Sequence, residues 1–189
     1  MDRLLNRLVD SMRENGIIKN DDDYDIVRFG AEILFTKTVF MLTAILVGVL
    51  THSLPEIIFF ILVFEPLRIF CGGYHARSKI RCFCASVSMV AAVIILNKVI
   101  SVSVLPVLSV ITIVFSSTII FLFAPLGTPN KPLDETEIEV YRKRARIILS
   151  VILAAAVITF VLHGYRLLFI IALGLLAVSL LLILGKIRD

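Results

Sequence analysis

The reactive side chains of this sequence gather in residues 65–84, which read Glu-Pro-Leu-Arg-Ile-Phe-Cys-Gly-Gly-Tyr-His-Ala-Arg-Ser-Lys-Ile-Arg-Cys-Phe-Cys. All three cysteines lie there, at 71, 82 and 84, together with His75. A cysteine nucleophile needs a base or a cationic neighbour, because a free thiol with a pKa of about 8.5 is mostly protonated at neutral pH. His75 can serve as that base for Cys82, and Arg77, Lys79 and Arg81 add positive potential that favours the thiolate. In one straight helix the two Cα atoms would lie ~10.5 Å apart, too far for imidazole to meet sulfur. The segment is therefore expected to break at Gly72-Gly73, where paired glycines permit positive φ and can fold His75 back towards the thiol. The same two amides offer an oxyanion site, against the simpler reading of a tight turn.

Spacing alone leaves other uses for these residues open. Cys71, His75, Cys82 and Cys84 could surround a zinc ion, although they lack the usual C-x₂₋₄-C pairs. They could also be small residues of a membrane protein beside an anchoring basic loop. Cys84, two residues beyond Cys82, would point about 200° away from it on a helix and is not expected to share its role.

The elements that must hold this loop are apolar helices. Of 189 residues, 59% are hydrophobic, and the mean hydropathy is +0.99, outside the range of a soluble domain with one core. The fold class expected is all-α: a polytopic integral membrane protein forming one membrane-embedded domain over 1–189, with the lipid bilayer as its surroundings. Apolar segments at 32–51, 55–70, 83–97, 104–123, 147–162 and 167–185 give six spans, two of them short against the ~17–25 residues a crossing needs. Residues 1–16 set Leu4, Leu5, Leu8, Val9 and Met12 on one arc opposite charged residues, an amphipathic interfacial helix within a polar segment 1–30. Asn20 to Asp23 reads as an acidic helix start. The first 25 residues lack a continuous apolar core, so no cleavable signal peptide is expected.

Charge sets the topology. With the N-terminus in the cytosol, sixteen of the nineteen Lys and Arg fall on the cytosolic side, Lys98 and Arg166 fall outside, and Lys37 lies within the first span, near enough its end to snorkel. Both termini and two polar loops, 68–82 and 124–146, are then cytosolic, and so is any chemistry. The net charge of +4 does not indicate nucleic acid, because the basic residues sit between apolar runs and form no separate module. Asp134, Glu135, Glu137 and Glu139 followed by Arg142-Lys143-Arg144 and Arg146 read as a helix with an acidic start. That basic run suits anionic lipid or an acidic peptide tail. Glu65 either pairs with Arg68 one turn on or faces a cavity.

The run Arg68-x-x-x-Gly72-Gly73-x-His75-Ala76, followed by Cys82, resembles the signature of the AgrB family, the accessory gene regulator B proteins of Gram-positive bacteria. A second stretch, Ala124-Pro125 through Asn130-Lys131-Pro132-Leu133, resembles that family's next cytosolic loop. The order of apolar runs and polar loops agrees along nearly the whole chain, although the specific motifs occupy only these two stretches. The resemblance implies a bacterial cell-membrane cysteine endopeptidase that cleaves an AgrD-type quorum-sensing propeptide and promotes its cyclisation to an autoinducing peptide. It implies Cys82 as nucleophile and His75 as base. Arg68, Gly72, Gly73 and Lys131 are the supporting or substrate-binding positions; no metal or cofactor is implied. A homodimer is expected, because six helices leave little protein around a peptide site. A small peptide transporter or a non-catalytic membrane protein is the alternative, and the chain carries no nucleotide-binding P-loop.

Overall fold

The structure, a computed structural model, describes residues 2–18, 20–74, 79–127 and 133–188. Seven helices account for most of them: α1 (Asp2–Glu14), α2 (Asp21–Leu50), α3 (Leu54–Cys71), α4 (Lys79–Val99), α5 (Leu105–Phe123), α6 (Glu135–Val161) and α7 (Tyr165–Arg188). Among the described residues no strand forms, so the protein is all-α and polytopic as its hydropathy requires. Five helices, α2 and α4–α7, are long and apolar enough to cross a bilayer. The remaining expected span is α3, whose 18 residues include Glu56, Glu65 and Arg68. The chain divides into two compact units, residues 1–44 and 45–189, with the boundary inside α2.

In the first unit α1 ends on a glycine turn. Gly16, at φ 72°, sends its N–H to the Arg13 carbonyl (3.0 Å), and the Ile17 N–H reaches Met12 (3.0 Å). Those bonds satisfy carbonyls that a helix end leaves without partners, at a residue without the Cβ that opposes positive φ. The chain then reverses, and polar pairs tie α1 to the start of α2. Tyr24 donates to Asp10 Oδ1 (2.8 Å), Arg28 donates to Asn6 Oδ1 (3.1 Å), and the Arg13 guanidinium lies over the Tyr24 ring. α2 begins at the acidic residues picked out in the sequence but starts well before its apolar run, so Lys37 falls mid-helix.

The second unit is arranged around α7. Leu168–Leu175 and Ala177–Ser179 are buried, save for half-buried Leu176, and this helix packs against α3, α4, α5 and α6. A helix apolar on every side suits such a central place. Small residues allow the close approach. Gly174 faces Val63 and Phe60 of α3, while Ser109 and Ser116, two turns apart on α5, are fully buried. By contrast Val107, Ile111, Val114, Phe115 and Leu122 of α5 are exposed, as a lipid-facing surface would be.

Hydrogen bonds sort the connections into two ends. Lys98 Nζ donates to the Thr51 carbonyl (2.6 Å), and Arg166 donates to the Ile100 carbonyl (3.2 Å), so the α2–α3, α4–α5 and α6–α7 turns share one end. The other end collects the end of α3, the α5–α6 connection and the last turns of α7. Residues 135–146, placed in a polar loop by hydropathy, form the first turns of α6, as their acid-then-base order anticipates. Asp134 caps that helix reciprocally: its Oδ1 accepts from the Glu137 N–H (2.6 Å), and its own N–H donates to Glu137 Oε2 (3.4 Å). Cation–aromatic contacts then dock α6 and α7, with Arg144 over Phe70, Arg146 over Phe121 and Lys186 over Phe123.

A Cβ added at Gly174 would lie 2.6 Å from Val63 Cγ1 and 3.0 Å from Val63 Cβ. Gly174→Ala is expected to lower stability by ~1–3 kcal/mol through overpacking. Thermal unfolding in detergent checks this, and an unchanged midpoint would show that α3 and α7 are not so closely set.

Candidate active site

Local sequence explains why α3 and α4 are separate helices. Gly72 and Gly73 take φ of 71° and 99°, values that side chains with a Cβ rarely adopt, and α3 ends at Cys71. The expected break at the paired glycines is therefore present. Their amides are already paired with backbone carbonyls. The Gly72 N–H donates to the Arg68 carbonyl (3.3 Å) and the Gly73 N–H to the Leu126 carbonyl (3.4 Å), which favours the tight-turn reading over an oxyanion site.

The turn is clasped by elements distant in sequence. Leu126, just beyond the cis Ala124–Pro125 peptide, pairs with Gly72 as an isolated parallel bridge, and its N–H donates to the Cys71 carbonyl (2.9 Å). Tyr74 donates its N–H to the Leu181 carbonyl of α7 (2.8 Å). Arg68 closes the clasp from inside: Nη1 donates to the Gly72 carbonyl and Nη2 to the Tyr74 carbonyl (2.6 Å). The planar guanidinium fork suits this bridge, which a single ammonium cannot reproduce. Both glycines are sterically required. A Cβ at Gly72 would collide with the Leu126 carbonyl, and one at Gly73 would come within 2.8 Å of the Leu181 carbonyl.

Cys82 stands in the first turn of α4 and is half-exposed, whereas Cys71 is fully buried and Cys84 exposed. The positive end of the helix dipole favours an anion at such a position. Arg68, whose guanidinium organises the loop, also lies within coulombic range of Cys82, Cys71 and Glu65. Cys82 and Cys84 differ in exposure, in line with their opposed directions on a helix. Among the described residues no three of His, Cys, Asp and Glu converge as metal ligands would.

His75, Arg77 and Lys131 lie outside the described residues, as does the stretch Asn130-Lys131-Pro132 of the second motif. The structure brings the other singled-out positions, Arg68, Gly72, Gly73 and Cys82, to one end of the second unit. Sequence reasoning missed Leu181 and Gly185 of α7, which meet the turn. The available signal was a glycine in a Leu/Ile-rich helix, a residue that costs about 1 kcal/mol relative to alanine unless something approaches closely.

The family model described as Accessory gene regulator B matches residues 5–183. A protein of Clostridium perfringens named putative AgrB-like protein is 21% identical over 165 residues, spanning 84% of this chain and 77% of that protein. Protein FsrB of Enterococcus faecalis is 27% identical over 114 residues, 60% of this chain and 46% of FsrB, so the match spans about half of that relative's length. No solved structure matches the chain.

Arg68→Lys keeps the charge but loses one arm of the fork. A hydrogen bond to a charged group contributes ~1.5–3 kcal/mol, so amide exchange at Gly73 and Tyr74 is expected to accelerate about ten-fold or more. Hydrogen-exchange mass spectrometry of the protein in nanodiscs checks this; wild-type protection would mean that Arg68 does not hold the turn.

Proposed function

The chain belongs to the accessory gene regulator B family, and on that premise we propose that it processes an autoinducer propeptide for quorum sensing, as a membrane cysteine endopeptidase. The observation that carries this reading is the placement of Cys82. It is a half-exposed cysteine in the first turn of a helix, within coulombic range of the arginine that organises the Gly-Gly turn preceding His75 in the sequence.

In the proposed reaction the Cys82 thiolate attacks the scissile carbonyl of an AgrD-like propeptide, and His75, holding the proton taken from the thiol, delivers it to the departing amine. The C–N bond breaks and a thioester to Cys82 remains. A cysteine thiol or serine hydroxyl of the retained peptide then attacks that thioester, His75 accepts its proton, and ring closure releases the cyclic product with Cys82 restored. Water competes in the second step, so a site that orders the peptide and excludes solvent favours cyclisation over hydrolysis. Arg68 offsets the negative charge on Cys82, Gly72 and Gly73 set the turn, Lys131 is a supporting or substrate-binding position, and the basic run Arg142-Lys143-Arg144 with Arg146 anchors to anionic lipid or attracts an acidic propeptide tail.

The termini and the active site face the cytosol in this reading. Arg68, Arg81, Arg142, Arg144 and Lys186 stand at the end of the second unit that carries the Gly-Gly turn, while Lys98 and Arg166 stand at the opposite end, a distribution that agrees with a positive-inside orientation. A transport path through this unit is disfavoured, because α7 occupies its middle. The protein pairs as a homodimer in the bilayer; cross-linking in native membranes is expected to trap a dimer, and recovery of monomer alone counts against it.

Cleavage of a propeptide encoded beside this protein, co-reconstituted in liposomes, tests the chemistry. Cys82→Ser is expected to abolish cleavage, His75→Ala to slow it by ~10²–10⁴-fold, and Cys84→Ser to leave it intact. Undiminished cleavage by Cys82→Ser would remove the peptidase reading.

A further inference from the structure

The last turns of α7 carry Gly185, a glycine inside a run of leucine and isoleucine where helix propensity disfavours it. It is buried, and the space its missing Cβ leaves is filled from outside the helix. A Cβ there would lie 2.6 Å from Leu126 Cδ2, 3.0 Å from the Tyr74 nitrogen and 3.2 Å from the Gly73 carbonyl carbon. A Cβ at Gly30 of α2, by contrast, would meet nothing within 4 Å. One turn before Gly185 is Leu181, whose carbonyl accepts the Tyr74 N–H (2.8 Å). The bare backbone at 185 thus opens a notch through which the loop reaches a helical carbonyl that side chains would otherwise cover.

We propose that Gly185 is a positioning residue for the reaction at Cys82, setting from α7 the depth at which the Gly73–Tyr74 segment seats. The proposal rests on the cysteine-peptidase reading. Tyr74 is held through both of its backbone groups, its N–H by Leu181 and its carbonyl by Arg68, and the next residue in the chain is His75. Little slack remains at Tyr74, so a displacement forced by α7 moves the residue that directly precedes the base in sequence. The Leu126 contact can yield by side-chain rotation, but the Tyr74 nitrogen and Gly73 carbonyl carbon are backbone, and the whole turn must move to restore ordinary separation. A displacement of ~1 Å at a reacting group costs about 10²-fold in rate, so a few tenths of an ångström cost about ten-fold. Gly185 lies apart from Arg142 and Lys143 of α6, proposed above for the propeptide tail, so the loss falls on kcat rather than KM.

The experiment uses full-length protein in liposomes with its propeptide, comparing wild type, Gly185→Ala, Gly174→Ala and Cys82→Ser. Gly185→Ala is expected to lower kcat about ten-fold with KM within about two-fold, and to speed amide exchange at Tyr74. Gly174→Ala, on the same helix but facing α3, is expected to lose stability while keeping kcat. Wild-type kcat in Gly185→Ala, or an equal fall in both glycine variants, overturns the proposal. If Gly185→Ala does not fold, the double variant Leu126→Ala/Gly185→Ala is compared with Leu126→Ala. It removes the side-chain contact and leaves the clash with Tyr74, so the fall in kcat should persist, and its disappearance again overturns the proposal. Cleavage by Cys82→Ser at the wild-type rate would instead overturn the peptidase reading itself, whatever Gly185→Ala does.

Discussion

Backbone groups of Gly72, Gly73 and Tyr74 must find hydrogen-bond partners where a helix has stopped, and the organisation of the site follows from how they do so. An apolar setting makes unpaired N–H and C=O groups costly, so irregular backbone is tolerated only where protein supplies the partners. Here the partners come from three places: the Leu126 carbonyl in the α5–α6 connection, the Leu181 carbonyl of α7 and the guanidinium of Arg68 on α3. One requirement thereby joins three elements to the Gly-Gly turn, which cannot shift without releasing bonds to all of them.

The requirement also accounts for residue choices that look unrelated in the chain. Gly72 and Gly73 combine left-handed backbone with contacts that exclude a Cβ, and Gly185 removes a Cβ from the opposite wall. Arg68 occurs where one side chain must reach two carbonyls, a task for a planar fork and not for a point charge. Gly174 does for the α3–α7 contact what Gly185 does for the loop: it lets the elements come close where lipid provides no hydrophobic drive for association.

The cation–aromatic contacts at the same end serve a related purpose. Arg144 on Phe70, Arg146 on Phe121 and Lys186 on Phe123 bring the start of α6 and the end of α7 against the ends of α3 and α5. Basic residues that the sequence presents as an anchor or a peptide-binding patch are thus also part of the packing. Arg142 and Lys143 are exposed on the same helix.

Much of this is legible in the sequence. Hydropathy determined the all-helical membrane architecture, because runs of that length and apolarity have few other stable states. Local chemistry determined the helix break at Gly72-Gly73, the acidic starts of α2 and α6 and the opposed settings of Cys82 and Cys84, since each depends on residues a few positions apart. Hydropathy alone placed the starts of α2 and α6 too late, because a helix continues beyond the part that touches lipid. The meeting of Leu126 with Gly72, of Tyr74 with Leu181 and of Gly185 with both loops was decided only by the tertiary structure. These contacts join residues about 50 to 110 positions apart through backbone atoms, which every residue type presents almost alike, so side-chain identity leaves no mark of the pairing except the glycines that make room for it.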